Sequence, residues 1–277
     1  MKVLGGIITY NPDLSRLVEN IKSIIGQVDC LLLIDNGSSN FKVIREEAEK
    51  YSCQIIVYKK NQGMAMALKK LMEYAFTNGF DWVLSLDQDS IVMPDLISEY
   101  KNHVTEQSVG AMTCSIKDRN FDLTKVSKQN GEKKEYVKTC ITSGFFISVQ
   151  AYQATSGYED KMFIDLVDFD ICYSIREAGF RILKIPYVGL LHEIGIGENI
   201  KFLGRDIVIF HHSSIRRYYM TRNLIYLSKK HPRELSLAKA LAKVLYRTIV
   251  VFIYEDDKKG KLMASIRGTK DGINMKV

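Results

Sequence analysis

The sequence of 277 residues contains only 4 prolines and 5 cysteines, and its hydrophobic residues never form a long uninterrupted run. The cysteines include no Cys-x-x-Cys pair, and their odd number is typical of free thiols in a reducing cytosol, not of a disulfide framework or zinc site. A membrane-spanning helix needs about 20 consecutive apolar residues, and no segment approaches that length. The N-terminal segment lacks a cleavage site of small residues and is interpreted as a first strand, not as a signal peptide.

Positive charge is concentrated in the last third of the chain. From residue 200 onward, 17 Lys and Arg face 6 Asp and Glu, a surplus of 11, whereas the whole chain carries a net charge of +7, so the first 199 residues carry −4. A local basic surface favours an anionic partner such as phosphate, acidic lipid or nucleic acid. Because no basic–aromatic module accompanies it, we expect no nucleic-acid partner.

Strand and helix patterns alternate in the first part of the chain. Apolar segments predict strands over residues 3–10, 29–39, 53–60 and 80–90, and amphipathic segments predict a helix after each of the first three. This alternation is typical of a mostly parallel sheet with helices on both faces, in which ligands bind beyond the carboxyl ends of the strands. The polar residues at these ends are Thr9, Tyr10, Asn11, Asp35, Asn36, Asn61, Asp87 and Asp89. We therefore predict a nucleotide site at this edge.

The pattern is less regular in the following hundred residues. Residues 115–140 are polar and irregular, which predicts an exposed excursion. After it we predict a strand over residues 145–149, a turn at Gly157, a helix over residues 168–178 and a short strand over residues 181–186. No internal repeat or low-complexity segment interrupts this order.

Asp87 and Asp89 end the fourth predicted strand. Residues two apart on a strand point to the same side, and two like charges repel unless a cation or a shared proton lies between them. Taken alone, Asp-x-Asp is more often a solvated turn. At the end of a strand in a nucleotide-type sheet, we interpret it as a ligand pair for Mg²⁺ or Mn²⁺ beside a diphosphate.

A second acidic cluster comprises Asp165, Asp168 and Asp170. On a helix Asp165 and Asp168 share a face, and the neighbouring apolar residues provide the partly apolar surroundings that a general base needs. Acidic residues in a first helical turn are also favoured by the helix dipole alone. His192 follows a predicted strand and begins a glycine-rich loop, so it is either a structural histidine or part of a loop that covers a diphosphate.

Two segments in the C-terminal third have helical spacing. In RRYYMTRN, Arg216, Tyr219 and Arg222/Asn223 recur at helical spacing. Their face either binds phosphate or is solvated, with the tyrosines in the core. Further on, basic residues recur every four positions among many apolar ones. They are Lys239, Lys243 and Arg247. This pattern is found both in interfacial helices on anionic membranes and in helices packed on their own domain.

Taken together, these stretches resemble the family-2 glycosyltransferases with the GT-A fold, within them the bacterial rhamnosyltransferase-like branch. The matching segments are ITYNPD, VDCLLLIDNGS, NQGMAMAL, WVLSLDQDS, FIDLVDFDIC with REAGFRI, HEIG and RRYYMTRN. Their order and combination are specific, and the DQDS and R-x-Y-Y-x-x-R-N segments point to rhamnosyl donors. The resemblance implies a GT-A catalytic domain over residues 1–200, with a nucleotide-sugar half (1–115) and an acceptor half (116–200). A basic helical extension over residues 201–277 follows it.

The resemblance also implies roles for individual residues. The donor-binding residues would be Thr9, Tyr10, Asn11, Asp35, Asn61, Gly63, Asp87 and Arg222. Asp89 and His192 would hold Mg²⁺ or Mn²⁺, and Asp168 would be the catalytic base. Many relatives have Glu-Asp where this chain has Val167-Asp168, so Asp165 and Asp170 are alternatives for the base.

The implied activity is inverting, metal-dependent transfer of rhamnose from dTDP-rhamnose to a saccharide or polyprenyl-linked saccharide in cell-surface polysaccharide synthesis, such as that of capsule or cell wall. The alternatives are another UDP- or GDP-sugar donor, and a catalytically silent partner protein that keeps the fold. A sugar nucleotidyltransferase is disfavoured, because the first strand leads to Tyr10-Asn11-Pro12 and not to a phosphate loop rich in glycine and arginine. We expect a cytoplasmic protein whose C-terminal helices either lie on the inner face of the cell membrane or pack on the domain or a second subunit.

Overall fold

The computed structural model describes residues 1–118, 133–192, 197–202 and 204–277. The first part of the chain alternates strands and helices in the predicted order. The elements are β1 (Val3–Thr9), α1 (Leu14–Ile24), β2 (Cys30–Asp35), α2 (Phe41–Lys50), β3 (Gln54–Val57), α3 (Met64–Thr77) and β4 (Trp82–Asp87). The four strands and three helices predicted here are confirmed, and each is somewhat shorter than the sequence segment that predicted it.

The remaining elements differ from the sequence-based expectation in several places. They are β5 (Ile91–Val92), α4 (Leu96–Lys101), β6 (Val109–Asp118), β7 (Glu135–Val137), β8 (Phe145–Ser148), α5 (Val149–Gln153), α6 (Val167–Glu177), β9 (Arg181–His192), β10 (Glu198–Phe202), β11 (Arg205–Ile209), α7 (Ser214–Lys230), α8 (Leu237–Tyr254) and α9 (Lys258–Asn274). The prediction of an exposed excursion over residues 115–140 is wrong near both ends of this range, because residues 115–118 and 135–137 form strands that pair with β9. Residues 119–132 lie outside the described residues.

The short strand predicted over residues 181–186 is longer than expected. β9 passes through Pro186 and ends at His192. Its pairing with β6 shifts register there, from Thr113 opposite Lys184 to Ser115 opposite Val188. A proline has no N–H to donate to a ladder, and such irregularities tolerate it.

Within the described residues, the central sheet has nine strands in the order β3-β2-β1-β4-β8-β6-β9-β5, with β7 paired to β9. Strands β1 to β4 are parallel to one another, and β6 is parallel to β9. The remaining strands, β5, β7 and β8, run antiparallel to their neighbours. The sheet is therefore mostly parallel, as the sequence predicts.

Helices pack on both faces of this sheet. Val3 and Ile7 of β1 share a buried cluster with Leu17 of α1. Gly6 points to the opposite face, because side chains alternate along a strand. A Cβ atom at Gly6 would lie 2.4 Å from the side chain of Leu71 in α3, so glycine is what permits this close packing of helix on strand.

The chain divides into two compact units. The first comprises residues 1–161 and 171–193 and contains the central sheet. The second comprises residues 162–170 and 194–277 and contains the antiparallel pair β10–β11 and the helices α7, α8 and α9. The short segment 162–170 carries all three candidate bases, so these belong to the second unit.

Candidate active site

The carboxyl ends of β1, β2 and β4 lie side by side in the first unit. The strand register places Thr9 opposite Asp35 and Ile8 opposite Asp87. Thr9 and Asp35 are fully buried, and Thr9 Oγ1 donates a hydrogen bond of 3.1 Å to Asp35 Oδ1. Asp35 Oδ2 accepts the N–H of Ser38 at 2.9 Å. The Asp35 carboxylate is thus fixed at the sheet edge where ligands bind in such sheets.

The loop after β1 is tied to neighbouring loops by hydrogen bonds of its backbone and of the Asn11 side-chain Oδ1. Asn11 has a left-handed conformation with φ 46°, donates its N–H to Ser38 Oγ at 2.8 Å and accepts the N–H of Ser39 at 2.8 Å. The N–H of Tyr10 donates to Gln88 Oε1 at 2.8 Å, while the Tyr10 side chain is exposed. An exposed aromatic ring on a fixed backbone provides a surface on which a nucleotide base can stack.

Asn36, which the resemblance assigns no role, connects the loops after β2 and β3. Its buried side chain accepts the N–H of Gln62 at 2.8 Å and donates to the carbonyl of Gly63 at 3.1 Å. Asn61 Oδ1 accepts the N–H of Gly63, the residue before α3, at 2.8 Å. Asn61 and Gly63 therefore lie at the N-terminus of a 14-residue helix, where unpaired N–H groups and the helix dipole favour anions.

Asp87, Asp89 and His192 come together where β4 and β9 end. His192 Nε2 lies 3.8 Å from Asp87 Oδ2, and His192 Nδ1 lies 3.6 Å from Asp89 Oδ1. Ser90, fully buried, holds the imidazole through a contact of 3.1 Å between its Oγ and His192 Nδ1. The two residues proposed as metal ligands from the sequence, about a hundred positions apart, are thus neighbours in the structure.

Two further buried side chains that sequence reasoning missed support this cluster. Ser143 Oγ lies 2.6 Å from Ser90 Oγ and accepts the N–H of Asp87 at 3.3 Å. Asn20 of α1 donates from Nδ2 to the carbonyl of Asp87 at 2.7 Å. No local pattern in the sequence marks Ser143 or Asn20, because both contacts join segments more than 50 residues apart.

The donor set of this cluster fits a hard divalent cation. The described parts of the chain contain no group of three or more His, Cys, Asp or Glu side chains already spaced as metal ligands. The Asp87 and Asp89 carboxylates are nevertheless 29% and 31% exposed, which leaves them accessible to a cation. Magnesium typically uses one or two carboxylates and completes its coordination with water and substrate phosphate. We therefore expect the protein itself to supply only a few of the ligands of the cation.

In the second unit, two of the three candidate bases bind cationic side chains. Asp170 is fully buried, and its two carboxylate oxygens lie 2.9 Å from His231 Nε2 and Lys230 Nζ. Asp165 faces Arg216, whose Nε and Nη2 both donate to Asp165 Oδ1 at 3.1 Å. Both carboxylates are therefore engaged in structural ion pairs.

Asp168 and Arg222 also belong to the second unit. Asp168 lies in the first turn of α6, is partly buried, and accepts the N–H of Phe169 through Oδ1 at 2.9 Å. Arg222 donates from Nε and Nη2 to Asn223 Oδ1 at 3.0 and 2.8 Å, and its guanidinium lies 4.7 Å from the centre of the Tyr219 ring.

A mostly parallel sheet that presents carboxylates and a helix N-terminus at one edge is the arrangement of a nucleotide-binding α/β protein. The family model described as Glycosyl transferase family 2 matches residues 6–164, more than half of the chain. The chain belongs to this family and is a glycosyltransferase. The matched region contains all eight of the predicted strand-edge residues and ends before Asp168 and His192.

Individual relatives extend this likeness along the chain. The dTDP-rhamnosyl transferase RfbF of Shigella flexneri is 26% identical over 283 residues, covering 96% of this chain and 94% of RfbF. The structure of S. aureus TarS 1-349 in complex with UDP-GlcNAc has a TM-score of 0.62 at 14% identity, covering 99% of this chain and 81% of that one. This chain spans 44% of a longer TarS chain.

A further solved structure is similar in fold. GalNAc-T7 with UDP, GalNAc and Mn²⁺ has a TM-score of 0.58 at 12% identity, covering 92% of this chain and 58% of that one. At such identities, the structural likeness shows the GT-A fold alone.

Proposed function

We propose that the protein transfers rhamnose from dTDP-rhamnose to a saccharide acceptor, with inversion at the anomeric carbon. The observation that supports this donor is the similarity to a dTDP-rhamnosyl transferase over nearly the full length of both chains. The strand-edge geometry of the first unit supports binding of the nucleotide part of the donor.

In this proposal, the loops after β1 and β2 hold the base and ribose through Thr9, Tyr10, Asn11 and Asp35. The exposed Tyr10 ring and the fixed Asp35 carboxylate support these roles. The diphosphate contacts the loop before α3, at Asn61 and Gly63. Asp87 contacts the ribose or the sugar, and Arg222 contributes positive charge to donor binding.

Asp89 and His192 would hold a divalent cation, Mg²⁺ or Mn²⁺, with Asp87 adjacent to them. The cation would supply positive charge to the departing nucleoside diphosphate. The mutual approach of these side chains to within 4 Å supports this assignment.

Asp168 is the proposed base. It removes the proton of an acceptor hydroxyl while that oxygen forms a bond to the anomeric carbon. The bond from the anomeric carbon to the β-phosphate oxygen breaks, and its electron pair leaves with dTDP. The ion pairs of Asp165 with Arg216 and of Asp170 with Lys230 give these two carboxylates structural roles, and the family resemblance assigns the base to Asp168.

The decisive experiment is a donor assay with dTDP-rhamnose, UDP- and GDP-sugars, with and without EDTA, in the wild type and in Asp168→Asn. We expect that dTDP-rhamnose is the only one of these donors that the wild type turns over, with release of dTDP. This activity should be lost in EDTA and in Asp168→Asn. Preferential turnover of a UDP- or GDP-sugar would replace the proposed donor, and full activity of Asp168→Asn would reject the proposed base. No donor turnover together with no nucleotide-dependent thermal shift would favour a catalytically silent partner protein.

We further propose that the acceptor is a polyprenyl-linked saccharide in cell-surface polysaccharide synthesis, and that the basic C-terminal extension docks on the anionic inner face of the membrane. The supporting feature is the exposed apolar surface of α8, called the α8 face here. It comprises Leu237, Leu241, Leu245, Ile249, Phe252 and Ile253, which are 37–63% exposed. In the described parts of the chain, no helix is long and apolar enough to cross a membrane.

Charge complementarity supports an anionic lipid surface as the occupant of the α8 face. Lys239 and Lys243 lie along one flank of it and are exposed, and Lys258 Nζ lies 5.8 Å from the centre of the Phe252 ring. Apolar side chains bordered by lysines are typical of helices that lie in the plane of an anionic membrane surface. Arg247, the third basic residue of the predicted stripe, is partly buried.

A further inference from the structure

The turn that leads into Asp168 has an unusual backbone. Asp165 and Leu166 have φ values of 67° and 63°, so two consecutive residues other than glycine are left-handed. L-residues rarely adopt this conformation, and for a bulky side chain such as leucine it persists only where surrounding contacts enforce it. The contacts that enforce it here come from α7.

Asn223 of α7 holds this turn through its side-chain amide. The residue is fully buried, and its Nδ2 donates to the carbonyl oxygens of Ile164 at 2.7 Å and Asp165 at 2.9 Å. Its Oδ1 accepts two hydrogen bonds from Arg222. A primary amide has two N–H donors and one carbonyl acceptor, so all of its hydrogen-bonding groups are used.

Two more side chains of α7 reinforce the same turn. The Tyr219 ring stacks on Phe163 with ring centres 5.2 Å apart, and Arg216 forms its ion pair with Asp165. On the face that carries Arg216 and Tyr219, these two side chains therefore contact residues 163–165.

The C-terminal end of α7 holds the other side of Asp168. Lys230 and His231 bind the buried carboxylate of Asp170. The N–H of Asp170 donates to the carbonyl of Leu166 at 3.0 Å, which joins the turn to the first turn of α6. Asp168 thus lies between two anchored points, two or three residues from each.

We infer that Asn223 is a positioning residue, which holds the left-handed turn at residues 164–166 so that the Asp168 carboxylate has one fixed position. This inference rests on the proposed role of Asp168 as the base. It assigns to the Arg-Asn pair at the end of the RRYYMTRN segment a function in orienting the base through the backbone.

The test is Asn223→Asp, which keeps the shape of the side chain but removes both donated hydrogen bonds. We expect kcat, measured at saturating donor, to fall about 10- to 100-fold, the effect of a small misplacement of a reacting group. Donor hydrolysis should rise relative to transfer, and hydrogen–deuterium exchange should increase in residues 162–170. Tyr218→Phe is the matched control, because it removes a partly buried hydrogen bond of 2.8 Å from the same helix to Asp271. We expect this variant to keep wild-type kcat.

An unchanged kcat in Asn223→Asp, an equal loss in Tyr218→Phe, or a loss without increased exchange in residues 162–170 would each overturn the inference. If Asn223→Asp does not fold, Arg216→Gln is decisive, because Arg216 is 46% exposed and its loss spares the core. We expect a lower kcat at unchanged donor KM, whereas a raised KM with unchanged kcat would contradict the inference. Full transfer activity of Asp168→Asn would reject Asp168 as the base. In that case, hydrogen–deuterium exchange in residues 162–170 would still show whether Asn223 holds the turn.

Discussion

Removing two apolar side chains from the α8 face should weaken membrane binding by a predictable amount. Leu245 is 63% and Phe252 is 51% exposed. Full burial of either side chain is worth about 1.5 to 3 kcal/mol, so burying these exposed fractions in the membrane interface contributes about 2 to 3 kcal/mol together. The double variant Leu245→Ser/Phe252→Ser should therefore bind vesicles between roughly 30- and 150-fold more weakly. Because both side chains are exposed, the fold should be preserved.

The assay is flotation with vesicles that contain an anionic phospholipid, compared with vesicles of neutral phospholipid. Phe76→Ser/Ile215→Ser is the matched control, since it removes similar side chains that are 59% and 71% exposed on other helices. We expect the control to float like the wild type. Equal partitioning of the α8 variant and the wild type would refute the membrane assignment, as would wild-type binding that is equally strong to neutral vesicles.

Three shorter predictions concern other sites. Glu255→Gln should lower the free energy of unfolding by about 3 to 5 kcal/mol, because it leaves buried Arg217 and Lys261 without their carboxylate; an unchanged urea midpoint would contradict this. Mn²⁺ should raise the melting temperature of the dTDP-bound wild type but not of Asp89→Asn, and a shift retained in that variant would exclude Asp89 as a ligand. Burial raises the pKa of Cys53 and Cys114 from 9.0 to about 11, so the unfolded chain loses these protons first and stability should fall as pH rises above 9. Double replacement of Cys53 and Cys114 by alanine should flatten that decline, and an unchanged slope would refute it.

The first half of the fold could be predicted because each of its strands is a continuous apolar segment between helices of clear amphipathic spacing. The strands that were predicted only in part or not at all lack this signal. β5 has two residues, β6 ends with Lys117 and Asp118, and β9 passes through a proline. These segments become strands because neighbouring strands pair with them, and such pairing leaves no local trace in the sequence.

The candidate site was predictable only as far as topology determines it. Asp35 and Asp87 could be placed at one edge because parallel strands end together there. Asn20 and Ser143 could not, since each contacts Asp87 from a distant segment. The Asp89–His192 contact followed from the family resemblance, because no spacing rule connects residues so far apart.

The choice among the three carboxylates near residue 168 illustrates the same limit and leads to a mechanistic argument. A general base must accept a proton in every turnover and release it again. Asp170 would have to break hydrogen bonds to Lys230 and His231 inside the protein, and Asp165 would have to release Arg216, which would loosen the left-handed turn. Both alternatives would thus disturb the contacts that fix the segment in each catalytic cycle. Proton uptake at Asp168 would leave the contacts of Asp165 and Asp170 intact, and this supports Asp168 as the proposed base.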